Sequence, residues 1–187
     1  MKNKFKFLAF AVLLIGSISA CKKDEPLPDV NEDELITTVT LRFTNTANPS
    51  DVVTVTARDV DGDGGNAPVI GPLNLRPNTS YNLSVSQILD ETENPAEDIR
   101  EEIVEEDDEH LLVYTATPSN LITVNITDRD RNNLPVGLAG TATTGAAGTG
   151  TLTVTLRHQP NGLKNGTATP GSTDFEFTFP LTVVNPS

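Results

Sequence analysis

Alternating apolar and polar residues recur along most of this chain in short runs that are rich in Val, Ile, Leu and Thr. Such alternation predicts β-strands with one face on a core, because successive side chains of a strand point to opposite sides. The predicted strands are residues 35–44, 52–57, 69–75, 81–88, 111–117, 121–127, 149–157 and 175–184. Residues 140–150 have little bulk and predict a mobile hairpin tip or loop. The pattern as a whole predicts an all-β fold, a β-sandwich of the Ig-like or jelly-roll-like kind.

Residues 90–109 break this pattern and predict one short acidic helix. Asn94 suits the N-cap of a helix and Pro95 its first position. An apolar stripe with helical spacing follows, consisting of Ile99, Ile103 and Val104. We therefore expect a helix over about residues 95–106 that lies on an edge or face of the sheets.

The N-terminus has the features of a bacterial lipoprotein signal peptide. Three lysines precede an apolar run, residues 7–15, that is too short to cross a membrane core of about 30 Å. The sequence ISAC at residues 18–21 resembles a lipobox, in which the Cys receives the lipid. Cys21 is the one cysteine of the chain, so it has no partner for an internal disulfide. We predict a signal peptide over residues 1–20 and lipidation of Cys21, which would hold the protein on a membrane.

The segment behind Cys21 predicts a tether and gives a weaker indication of location. Residues 21–34 are polar and contain two prolines without hydrophobic periodicity, which predicts disorder before a domain over residues 35–187. The sequence KKDE at residues 22–25 resembles the surface-export signal of Bacteroidota lipoproteins. We expect an outer-membrane lipoprotein, and both outward display and a periplasm-facing position stay open.

The charge of the chain excludes one class of partner and suggests another. With 26 acidic and 13 basic residues the net charge is −13, which argues against nucleic acid, because phosphate binding needs clustered Lys and Arg. Residues 90–109 contain 12 acids and one base, Arg100. This run predicts a solvated face, a cation site or a docking surface for a protein partner.

Two loops carry closely spaced acids that could bind calcium. The first contains Asp59, Asp61 and Asp63, and the second contains Asp128, Asp130 and Asn132. Carboxylates two residues apart in a curling loop can converge on Ca²⁺, which prefers six to eight oxygen ligands. An EF-hand is excluded because its twelfth position is Ile70 in the first loop and Ala139 in the second. The alternative is an ordinary turn, since Asp and Asn also stabilise turns through their side-chain hydrogen bonds.

The two histidines of the chain suggest a second kind of metal site. His110 precedes the predicted strand 111–117, and His158 follows the predicted strand 149–157. If these strands are neighbours, both rings and either Asp108 or Glu109 could hold Zn²⁺ or Cu²⁺ with an open position. No spacing motif supports this, and two independent structural histidines are the alternative.

Catalytic motifs are missing from the sequence. It has no G-x-S-x-G elbow, and lipidation of Cys21 would leave no free thiol. Its many carboxylates single out no acid–base pair. We therefore predict a non-enzymatic binding or protein-interaction module, with metal binding as the alternative.

Several segments together resemble a family of small, uncharacterised cell-envelope lipoproteins of Bacteroidota. They are residues 36–43, 58–68, 90–110, 128–138, 156–166 and 173–181. Some members are described as having a type 1 periplasmic binding fold, which implies a pair of α/β domains. The length and strand content of this chain predict a sandwich instead. The resemblance implies an envelope location and supplies no activity or site residues.

Overall fold

The computed structural model describes residues 35–62 and 65–185, and these form a two-layered β-sandwich. The first sheet consists of β1 (Thr38–Asn45), β2 (Val52–Arg58), β3 (Val69–Ile70), β5 (Ser80–Asp90), β6 (Glu97–Asp98), β8 (Ile122–Ile126) and β9 (Ala139–Thr144). The second consists of β4 (Leu73–Leu75), β7 (His110–Thr117), β10 (Gly148–His158) and β11 (Ser172–Val183). The all-β sandwich predicted from the sequence is thereby confirmed.

The strand order places β7 at one edge of the second sheet. The first sheet runs β3-β2-β1-β5-β9-β8, with β6 paired to one end of β5, and the second runs β4-β11-β10-β7. The pairings between these strands are antiparallel except that β4 runs parallel to β11. The helix α1 (Ile99–Glu105) lies in the connection from the first sheet to the second.

One core fills the space between the sheets because apolar residues alternate along the central strands. On β11 the buried side chains are Phe175, Phe177, Phe179, Leu181 and Val183. The first three pair across the ladder with Leu156, Val154 and Leu152 of β10. In the other sheet, Leu41 and Phe43 pair with Val85 and Leu83. These residues belong to a single apolar cluster within the compact unit Glu32–Ser187.

The observed elements correct three sequence predictions. The run 140–150, expected to be a mobile tip, contributes β9 and the beginning of β10, and Ala142 is wholly buried. Residues 69–75 form two short strands, β3 in one sheet and β4 in the other. The helix begins at Ile99 with Asp98 as its N-cap, so Asn94 is not the cap. The reason is that Glu97 and Asp98 pair with the end of β5 before the helix starts.

The apolar face of the helix matches the prediction only in part. Ile99 and Ile103 are buried, as their spacing indicates, whereas Val104 points outward and is 49% exposed. Predictions for the signal peptide, for the tether and for lipidation of Cys21 lie outside the described residues.

Candidate functional site

His110 and His158 face each other at one end of the second sheet. His110 is the first residue of β7 and His158 the last of β10, and the antiparallel register pairs them directly. Their rings stack with centroids 4.7 Å apart and planes 8° from parallel. Both residues are buried, with 1% and 5% of their surfaces exposed. The neighbouring strands that the histidine hypothesis required are therefore present.

The loop that follows His158 is fixed to this end of the sheet. The N–H of Gln159 donates to the carbonyl oxygen of Glu109 at 2.6 Å, which continues the β7–β10 ladder by one step. The amide Nε2 of the buried Gln159 side chain donates to the carbonyl oxygens of Thr167 at 2.8 Å and Pro170 at 3.1 Å. The histidine pair thus lies on a hydrogen-bonded framework.

Glu106 is the acid whose side chain groups with both histidines. It caps the C-terminus of α1, where its N–H donates to the Glu102 carbonyl at 2.8 Å. One ligand atom from each of Glu106, His110 and His158 lies within 4.8 Å of the other two, and the described residues contain no other such group of three His, Cys, Asp or Glu. Glu106 was not predicted from the sequence, although its position four residues before His110 at a helix end was a usable signal.

A backbone hydrogen bond selects the tautomer of His110. Its Nδ1 lies 3.1 Å from the Glu106 carbonyl oxygen, which can only accept, so Nδ1 carries the hydrogen. Burial lowers the pKa of His110 to about 4, although the hydrogen bond to Glu106 opposes this effect. The ring is therefore neutral at neutral pH, and the lone pair for a ligand is on Nε2.

The two acids that the sequence suggested as metal ligands have other contacts. Asp108 Oδ1 forms an ion pair with Arg131 Nη2 at 2.6 Å. Glu109 Oε1 accepts from the N–H of Asn161 at 3.2 Å, and its Oε2 lies 3.7 Å from His158 Nε2. Glu109 therefore borders the histidine pair, whereas Asp108 is directed to Arg131.

The second acidic loop is held by donors from the protein itself. Asp128 accepts three backbone N–H groups, from Gly137, Leu138 and Ala139, at 2.8–3.1 Å. Asp130 Oδ1 accepts the N–H groups of Asn132 and Leu134 at 2.9 and 2.8 Å. These hydrogen bonds give Asp128 and Asp130 a structural role, and calcium at this loop stays a prediction. Asn132 is exposed and takes part through its backbone.

A buried lysine completes the environment of Asp130. Lys164 Nζ lies 3.0 Å from Asp130 Oδ2, and the side chains are 1% and 0% exposed. Burial raises the pKa of Asp130, but the Leu134 N–H and Lys164 outweigh it, so this pKa lies below its usual value. The ammonium group also donates to the Asp107 carbonyl at 2.6 Å. Lys164 thus connects the second acidic loop to the segment before the histidine pair.

The first acidic loop is described only in part. Asp61 Oδ2 accepts from the backbone N–H of Asn66 at 2.8 Å and from its side-chain amide at 2.7 Å. These two hydrogen bonds lower the pKa of Asp61. Asp59 is half-buried beside it, and Asp63 lies outside the described residues. Asp61 therefore closes a turn, which favours the ordinary-turn alternative, and calcium binding at this loop is not tested by the described residues.

The acidic segment 90–109 presents carboxylates on its outer side. Seven of its acids are exposed, namely Glu93, Glu97, Asp98, Glu101, Glu102, Glu105 and Glu106. The guanidinium of Arg100 is directed inward, where Nε donates to the Val85 carbonyl at 2.9 Å. Glu91 pairs with Arg58 and Asp108 with Arg131, so these cations lie near the two ends of the segment. The fully exposed charged side chains of the helix surface between them are all acidic.

Comparison with known proteins finds no matching family model, no matching curated protein and no matching solved structure. In the described part of the chain, no helix is both long and apolar enough to span a membrane.

Proposed function

We propose that this protein is a cell-envelope lipoprotein, anchored to the outer membrane through lipid on Cys21, whose sandwich is a non-enzymatic docking module for a cationic protein. The signal-peptide pattern and the lipobox-like residues 18–21 support the anchor. The docking surface is the outer side of α1 and its flanking residues, which we call the acidic surface (residues 97–106). The direction of the Arg100 side chain is the observation that carries this proposal, because its Nε is bonded to the Val85 carbonyl and the fully exposed charged residues of the acidic surface are all acids.

The acidic surface is unfavourable for the helix that presents it. Glu101 and Glu105 lie at i and i+4, where like charges destabilise a helix by about 0.2–0.5 kcal/mol. The last turn contains no basic residue, although the helix dipole favours cations at a C-terminus. A bound cationic partner would remove both penalties, which gives the arrangement a physical reason.

Val104 gives the acidic surface an apolar contact point. It is 49% exposed and has Glu101 and Glu105 as helix neighbours. An apolar centre with a charged rim is the usual composition of a protein interface. Electrostatic complementarity would increase the association rate with a Lys- or Arg-rich surface and make it sensitive to salt.

Site-specific photo-crosslinking in intact cells tests docking. A photoreactive amino acid at position 104 should give a discrete protein adduct, which mass spectrometry identifies. The same amino acid at position 69, an exposed site on β3 away from the helix, is the matched control and should not give this adduct. Adding Glu101→Lys and Glu105→Lys should abolish the adduct at position 104. The proposal fails if no adduct forms, or if the adduct is the same at both positions or survives the charge reversal.

A further inference from the structure

We infer that Glu106, His110 and His158 form a binding site for a divalent transition-metal ion such as Zn²⁺, with two imidazole ligands and one carboxylate. The three residues come from the end of α1 and from the paired ends of β7 and β10. Metal binding does not require the docking partner, although Glu106 is also the last residue of the acidic surface.

The donor set selects the class of metal. Two imidazoles and a carboxylate suit Zn²⁺ and its first-row neighbours, whereas Ca²⁺ and Mg²⁺ prefer sites made of oxygen ligands. Metal-binding histidines usually donate their second ring N–H to a carbonyl or carboxylate, which orients the ring. His110 already has this arrangement, since Nδ1 donates to the Glu106 carbonyl and the Nε2 lone pair is available.

Metal binding requires movement of Glu106 and of both histidine rings, because the in-plane lone pairs of rings stacked 8° from parallel do not converge on one ion. Ligand atoms around tetrahedral Zn²⁺ lie about 3.3 Å apart, as follows from metal–nitrogen distances of about 2.0 Å. The three ligand atoms here lie within 4.8 Å of one another, so they must approach by up to about 1.5 Å. The Glu106 side chain is exposed, whereas the two histidines are buried at a sheet end and must turn out of their stack. Three protein ligands leave a fourth position for water or for the neighbouring Glu109.

The local charges favour a cation at this position. The end of α1 leads into five consecutive acids, residues 105–109, and the last turn has no base. A helix C-terminus carries partial negative charge, which adds to that of the carboxylates. Arg131 neutralises part of it through the Asp108 carboxylate, whereas the charge of Lys164 is paired with Asp130. A divalent ion at Glu106 would neutralise carboxylate charge of residues 105–109 that Arg131 and Lys164 do not pair with.

Titration of metal-free protein with Zn²⁺ tests the inference. We expect one Zn²⁺ per chain in calorimetry of residues 32–187, and a tetrahedral Co²⁺ absorption spectrum after substitution. Glu106→Gln should weaken Zn²⁺ binding at least about tenfold. Removing a residue that only orients a metal ligand lowers affinity by about 10- to 100-fold, so loss of a direct ligand should have at least the smaller of these effects. Glu105→Gln is the matched control, because it makes the same charge change one residue away and should leave affinity nearly unchanged.

A histidine variant and competing ions complete the experiment. His158→Gln should abolish stoichiometric Zn²⁺ binding, with circular dichroism used to confirm the fold; if it does not fold, the two Glu variants decide. Excess Ca²⁺ or Mg²⁺ should not displace Zn²⁺. The inference is overturned by absence of one-to-one binding, by equal weakening in Glu105→Gln and Glu106→Gln, or by displacement with Ca²⁺. These results would indicate general attraction to acids or a hard-cation site.

Discussion

Lys164 and Asp130 form an ion pair of 3.0 Å between side chains that are almost completely buried. The pair joins the loop after β10 to the loop after β8, and Lys164 also donates to the Asp107 carbonyl just behind α1. Three segments that are distant in sequence are thereby held around the histidine pair. Such a pair is costly to break, because removing one partner leaves a buried charge uncompensated.

Lys164→Met should lower the free energy of unfolding by about 3–5 kcal/mol, the usual effect of removing one partner from a buried pair. The double variant Lys164→Met, Asp130→Asn should regain much of this loss. Asn retains Oδ1 for the Asn132 and Leu134 N–H groups and carries no charge. Urea denaturation at pH 7 measures these differences.

Arg131→Met is the control for this comparison. It breaks the more exposed ion pair with Asp108 and should lower stability by no more than about 1 kcal/mol. Equal losses in the free energy of unfolding for Lys164→Met and Arg131→Met would show that the buried pair contributes no more to stability than the exposed pair.

The stability of the metal-free protein should decrease as pH falls from about 6.5 to about 4, in part through His110. The pKa of His110 is about 4 in the folded state, whereas an unperturbed histidine in the unfolded chain has a pKa of about 6.5. Between these values the unfolded state binds a proton that the folded state does not, so acidification favours unfolding. His110 can change the free energy of unfolding by at most about 1.4 kcal/mol per pH unit.

His110→Gln should remove this contribution while carboxylates titrate similarly in both proteins. Denaturant melts at several pH values, with a chelator present, give the difference between the two slopes. Parallel pH profiles for wild type and variant would show that His110 does not have its lowered pKa.

Calcium should have little specific effect at the first acidic loop. Asp61 accepts two hydrogen bonds from Asn66, so Asp61→Ala should lower the melting temperature by the same amount with millimolar Ca²⁺, with Mg²⁺ and with a chelator. A rise in melting temperature that is specific for Ca²⁺ and lost in Asp61→Ala would instead establish a calcium site in this loop.

Cys21→Ser should abolish incorporation of a fatty acid analogue and leave the protein unprocessed or released from the membrane. The physical reason is that acyl chains contribute about 0.8 kcal/mol per buried methylene, which a serine without lipid cannot replace. Metabolic labelling followed by membrane fractionation measures both effects. Label that persists on the Cys21→Ser protein would contradict lipidation at this position.

Much of the strand content could be predicted from the sequence because bulky apolar residues alternate along the central strands. The predicted segments 52–57, 81–88 and 149–157 differ from β2, β5 and β10 by at most two residues at either end. β9 was missed because its sequence, AGTATT, has no bulky side chain. A Cβ at Gly140 would lie 2.8 Å from the Asn125 carbonyl oxygen, so the approach of β8 requires a small residue there. Only the neighbouring strands reveal that this low bulk is a packing requirement.

The sequence by itself determined the all-β class, the buried positions Ile99 and Ile103, and the identity of the two histidines as candidate ligands. These features depend on residue type and local periodicity, which a single chain displays directly. The tertiary structure decided that His110 and His158 stack, that Glu106 rather than Asp108 lies beside them, and that Lys164 neutralises Asp130. Those contacts depend on strand order and register, because pairing energies between distant segments, and not local sequence, determine which ends of the strands meet.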